Sequence, residues 1–77
     1  MYKESYYGLL RLPLNATTDQ VMAKAFQLEQ VHVELACRGD VQAVMRLREL
    51  REARTVLCDP IKRATYDRAY VAAIFRP

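Results

Sequence analysis

A chain of 77 residues, 52% hydrophobic and 27% charged, with two glycines and three prolines, has room for one domain of a few helices around one apolar seam. That composition excludes a disordered chain and a turn-rich all-β fold. The formal net charge of +3 is unevenly placed: residues 1–37 carry three basic against four acidic residues, a net of −1, and residues 38–77 carry nine against five, a net of +4.

The first element is a short helix over residues 5–10, Ser-Tyr-Tyr-Gly-Leu-Leu, because Pro13 forces an exit soon afterwards. Leu9, Leu10, Leu12 and Leu14 crowd this region and are expected to close the core. Thr17 followed by Gln20 has the spacing of a capping box, which predicts a second helix from Thr18 to Val33. Its apolar positions Val21, Ala25, Leu28 and Val31 or His32 recur at helical spacing, and Met22, Phe26 and Val33 widen that face. Gln27, Glu29 and Gln30 are assigned to the outer side.

Ala36 to Asp40 breaks the periodicity, with Gly39-Asp40 as the turn signal. A third helix, Asp40 to Leu57, sets Ala43, Leu47, Leu50, Arg54 and Leu57 on one stripe flanked by Val44, Ala53 and Val56. Arg48 and Glu52 are spaced for a weak ion pair. At Asp59-Pro60 one helix stops and another starts. Asp59 can cap the new helix, and Pro60 suits its first position because its missing donor would have had no partner there. The fourth helix runs from Pro60 to about Ile74, with Tyr66, Ala69, Tyr70, Ala73 and Ile74 as its buried candidates. Val71 to Phe75 reads either as core or as an exposed docking segment.

No apolar run approaches the roughly 20 residues that span a bilayer, and the N-terminus lacks a charged-then-apolar leader. The expectation is a cytoplasmic chain with no membrane partner. If residues 41–57 form one helix, its ends lie about 25 Å apart at about 1.5 Å per residue. A disulfide tolerates up to about 7 Å between Cα atoms, so Cys37 and Cys58 are expected to be free thiols. Their spacing does not fit a zinc site, and with one histidine no metal or other cofactor is expected.

Once these elements are set in order, the chain resembles a J domain of the DnaJ co-chaperone family. The resemblance rests on Tyr6-Tyr7-Gly8-Leu9-Leu10, on Glu52-Ala53-Arg54-Thr55-Val56-Leu57-Cys58-Asp59-Pro60, and on Lys62-Arg63-Ala64-Thr65-Tyr66-Asp67. The family patterns are a tyrosine pair followed by Ile-Leu, Glu-Ala-Tyr-x-Val-Leu-x-Asp-Pro, and Lys-Arg-x-x-Tyr-Asp. The match covers residues 6–68 without a gap, within residues 1–77 as one domain. It implies an all-α fold: an antiparallel hairpin of the second and third helices, with the short first helix and the C-terminal helix packed against it.

The resemblance also implies a docking site. A His-Pro-Asp tripeptide in the loop after the second helix helps a J domain dock on a heat-shock ATPase and trigger ATP hydrolysis. Here that position reads Val33-Glu34-Leu35, and sliding by one residue gives His32-Val33-Glu34, which lacks the proline that stiffens the loop. Active members present basic residues on the second helix, whereas residues 21–35 hold Lys24 against Glu29 and Glu34. Arg54 stands where the family has an aromatic residue, and its stem is expected to lie along the core while the guanidinium reaches outward.

The candidate partner-binding residues are therefore His32, Val33, Glu34 and Leu35, in a degenerate motif loop. His32 also fits a packing role on the inner face. Arg46, Arg48, Arg51, Lys62 and Arg63 form a candidate basic surface, which also fits a solvated helical face. No second general acid, nucleophile or metal cluster accompanies His32, so no enzymatic activity is expected. The reading is a protein-interaction module related to co-chaperones, unable to stimulate a heat-shock ATPase. Its partner is a protein, either such an ATPase or another component of a chaperone system. Two alternatives stay open: an active co-chaperone using His32 and Glu34, and a helical nucleic-acid binder using the third-helix arginines. The second is disfavoured because no aromatic residues interleave with the arginines to stack bases.

Overall fold

The computed structural model describes residues 5–74, which form four helices: α1 (Tyr6–Leu10), α2 (Thr18–Cys37), α3 (Val41–Leu57) and α4 (Pro60–Ile74). Ser5 starts α1 by accepting from the Gly8 N–H at 3.0 Å. The helix ends at Arg11, held in the left-handed region at φ 56°. That conformation costs a non-glycine residue about 1 kcal/mol, and it turns the chain back toward the core through a Leu12 N–H bond to the Tyr7 carbonyl at 3.0 Å.

The predicted capping box is present in both halves. The Thr17 hydroxyl accepts from the Gln20 N–H at 3.1 Å, and the Gln20 side chain accepts from the Thr17 N–H at 2.9 Å. α2 then continues to Cys37, four residues beyond the predicted end at Val33. No proline or glycine interrupts residues 18–38, so nothing stops the ladder until Gly39 supplies a φ of +93°. Space does not demand that glycine, since a Cβ there would meet nothing within 4 Å; the backbone angle does. Asp40 caps α3 by accepting from Ala43 N–H at 3.2 Å. Asp59 caps α4 as expected, accepting from Ile61 and Lys62 N–H groups at 2.9 and 3.2 Å.

α2 and α3 form the antiparallel hairpin, and α1 lies across both. Ala25 and Ala53 are fully buried, and Val21, Leu50 and Leu57 fill the seam with Tyr7, Leu10 and Ala16. α4 packs on α3 and reaches α1 through aromatic side chains: Tyr66 stacks on Tyr6 at a centroid distance of 4.6 Å, and Tyr70 lies 6.1 Å from Tyr7.

The predicted core is too wide. Val31, Met22, Phe26 and Val33 of α2 are exposed, as are Val44 of α3 and Leu14. Among the described residues α2 touches only α1 and α3, so a broad apolar face has no third helix to cover it. In α4, Tyr66 and Tyr70 are half-buried, while Ala69, Val71, Ala72 and Ala73 are exposed. Phe75 and the Ile74 side chain lie outside the described residues. Cys37 and Cys58 are free thiols. Among the described residues no helix is long and apolar enough to cross a membrane.

Candidate functional site

The four predicted docking residues are not in a loop. His32, Val33, Glu34 and Leu35 all lie within α2, and the connection to α3 is reduced to Arg38, Gly39 and Asp40. Backbone carbonyls of the expected loop instead finish the helix. Glu34 O and Leu35 O accept from the Arg38 N–H at 3.3 and 3.1 Å, and Leu35 O also accepts from the Asp40 N–H at 3.1 Å.

Helical geometry also separates the two groups that could imitate the motif. Residues two apart on a helix do not face each other, so His32 is half-buried while Glu34 projects into solvent. His32 Nδ1 lies 2.8 Å from the Leu28 carbonyl. A carbonyl can only accept, so Nδ1 carries the proton and donates along the helix. Val33 is exposed and Leu35 half-buried.

The candidate basic surface divides into separate roles. Arg46 pairs with Glu49 at 3.4 Å on the outside of α3. Arg48 and Lys62 are exposed. Arg51 Nε lies 3.5 Å from Glu29 Oε1. Glu52 is turned to the Tyr6 hydroxyl, not to Arg48.

Arg63 is half-buried and turned onto the chain. Its guanidinium donates to the carbonyls of Leu14 and Ala16 at 3.0 and 2.6 Å and to the Tyr7 hydroxyl at 3.0 Å. Its side chain is 17% exposed and also pairs with Asp67 at 3.7 Å, while Tyr7 donates to Asp67. One arginine thus ties α4 to α1 and to the α1–α2 connection. The Lys-Arg motif gave no sign that its two cations face opposite ways.

Burial, then the hydrogen bond to Asp67, push the Tyr7 hydroxyl up to about 12 from 10.0, with Arg63 opposing. Burial, then Glu52, raise Tyr6 to about 12. Burial likewise raises the Cys58 thiol, against Arg54 and Arg63. The tyrosine shifts fix a sign: a raised folded-state value favours the protonated hydroxyl in the fold. Their contribution to stability is complete below the ordinary tyrosine value of 10.0 and is lost as pH rises through about 12. Urea midpoints measured across alkaline pH are expected to fall in that window, and less steeply in Tyr7→Phe.

The chief correction on the hairpin is Glu29. Assigned to the outer side, it is 7% exposed and faces α3. Arg54 Nε lies 2.9 Å from Glu29 Oε2, a contact at ion-pair distance whose angle is not that of a hydrogen bond, and Arg54 Nη2 donates to Oε1 at 3.3 Å. The Arg54 guanidinium is therefore turned inward, not outward, and sits 4.8 Å over the Phe26 ring. The signal was legible in principle: Glu29 follows Val21 and Ala25 at four-residue steps, and Arg54 occupies the inner stripe of the facing helix.

Among the described residues no group of three or more His, Cys, Asp or Glu side chains could hold a metal ion. No family model matches the chain. Curated relatives do. A J domain-containing protein of Bombyx mori is 38% identical over 65 residues, covering 84% of this chain and 38% of the relative. The chaperone protein DnaJ of Thermotoga neapolitana is 38% identical over 68 residues, covering 86% of this chain and 18% of that protein. The chaperone protein DnaJ of Dictyoglomus thermophilum is 41% identical over 66 residues, covering 84% and 16%. The chain thus spans well under half the length of these relatives. With four helices in the expected order, a capped α3–α4 junction and this similarity over most of its length, the chain belongs to the J-domain family of DnaJ co-chaperones.

Proposed function

We propose that this J domain, taken as one module over residues 1–77, is an adaptor in a chaperone-related protein complex and does not stimulate a heat-shock ATPase. The observation that carries the reading is the helical state of Val33-Glu34-Leu35, where the family resemblance places the His-Pro-Asp loop. A docking tripeptide needs three side chains converging from a stiff turn. Successive helical residues instead diverge by about 100°.

The charge of α2 supports the same reading. Residues 21–35 carry Lys24 against Glu29 and Glu34, and Glu29 is turned inward, so the outer face of α2 holds no cluster of cations to steer toward an acidic ATPase surface. A protein remains the partner this reading requires.

The purified chain mixed with a heat-shock ATPase from the same cell is expected to leave single-turnover ATP hydrolysis at its basal rate. Acceleration that disappears in His32→Gln would overturn the reading in favour of an active co-chaperone.

A further inference from the structure

Three residues left uncovered by the fold lie on one line of α2. Met22, Phe26 and Val33 are 39%, 48% and 38% exposed, and at about 100° per residue they fall within about 40° of one another. Single exposed apolar residues are ordinary; an aligned series on one helix face marks a contact surface. α3 borders it with Arg54, seated over Phe26, and with Arg51, whose side chain is 59% exposed. Val44, 48% exposed, stands seven residues before Arg51 and so on the same side of α3.

Charge decides what can cover this strip. Glu29 sits at the inner edge of the stripe, but it is buried and already engaged by Arg54 at 2.9 Å and Arg51 at 3.5 Å. One carboxylate against two guanidinium groups leaves a positive border, and exposed Arg48 extends it by a turn. A second copy of this chain laid on the strip would bring that border against its like.

We propose that this strip docks an acidic amphipathic helix: apolar residues of the partner lie along Met22, Phe26 and Val33, and its flanking carboxylates meet the exposed Arg48 and Arg51. The proposal rests on the adaptor reading and names the chemistry of its partner. Apolar anchors at helical spacing supply the contact area, and the arginines select the sign of the flanks.

The test uses a synthetic peptide of roughly 18 residues, long enough to hold helical structure, with a leucine ridge flanked by glutamates, and a counterpart flanked by lysines. Binding is followed by fluorescence anisotropy and mapped through backbone amide shifts. The glutamate peptide is expected to bind on α2 and α3 at least about tenfold more tightly than the lysine peptide. Phe26→Ser and Arg51→Gln, both at exposed positions, are each expected to weaken it about tenfold, with circular dichroism unchanged. Equal binding of the two peptides, binding indifferent to both substitutions, or a dimer in sedimentation that shields Phe26 would each overturn the proposal. The parallel ATPase assay keeps the two readings apart. No peptide binding with ATP turnover unstimulated sinks the docking strip alone, whereas stimulated turnover sinks the adaptor reading.

Discussion

Arg54→Ala is expected to lower the unfolding free energy by about 2–3 kcal/mol, read from urea denaturation at neutral pH. The loss comes from what stays behind. Glu29 is 7% exposed, and without Arg54 the cation left beside it is Arg51, 3.5 Å away on a side chain that is mostly in water. A buried carboxylate stripped of its partner keeps its desolvation cost and loses most of the compensation. The Phe26 ring also loses the guanidinium 4.8 Å above it, a contact worth about 0.5–1 kcal/mol at a half-exposed site.

Replacing both members tests this account. Glu29→Leu combined with Arg54→Tyr is expected to return stability to within about 1 kcal/mol of the parent, because a packed apolar pair replaces a desolvated ionic one. If the double variant were as unstable as Arg54→Ala, the pair would be holding the hairpin by something other than mutual neutralisation.

Arg63→Met is expected to cost about 3 kcal/mol, the larger end of single-residue effects. Methionine keeps much of the aliphatic stem but removes donors to Tyr7, Leu14 and Ala16 together with the partner of Asp67. The Ala16 bond matters most, since Ala16 is buried and its carbonyl has no easy path to water, whereas Leu14 is exposed. Lys62→Met, one residue away and solvent-facing, is expected to change stability by less than about 0.5 kcal/mol. Comparable losses in the two variants would show that Arg63 acts only through net charge.

Local signals in this sequence carried far. The Thr17–Gln20 box, the Asp59 cap and the α3–α4 break each follow from bonding available within three or four residues, and each stands where spacing predicts it. The hairpin and its order of helices were legible for the same reason. What spacing could not show was which partner a face would meet. Met22, Phe26 and Val33 have helical spacing yet stay in water, because only tertiary packing decides whether a neighbour arrives. Glu29 and Arg63 show the converse: each is charged, and charge predicts exposure until a partner 25 or 47 residues away is known. α2 runs four residues past Val33 because apolar spacing marks a face and not an end, and residues 34–38 contain no helix breaker.

The clasp between α1 and α4 joins residues about 60 positions apart, through Tyr6 to Tyr66 and Tyr7 to Asp67, while the α2–α3 hairpin closes over a three-residue turn. Closing the long loop costs chain entropy that the hairpin need not meet, so the hairpin is expected to nucleate folding and the clasp to form after the rate-limiting step. In kinetic terms Arg63 then governs how long the native state lasts rather than how fast it is reached. Weakening it should steepen the escape from the folded basin while leaving refolding nearly unaltered, so the half-life of the folded chain is set at its two ends.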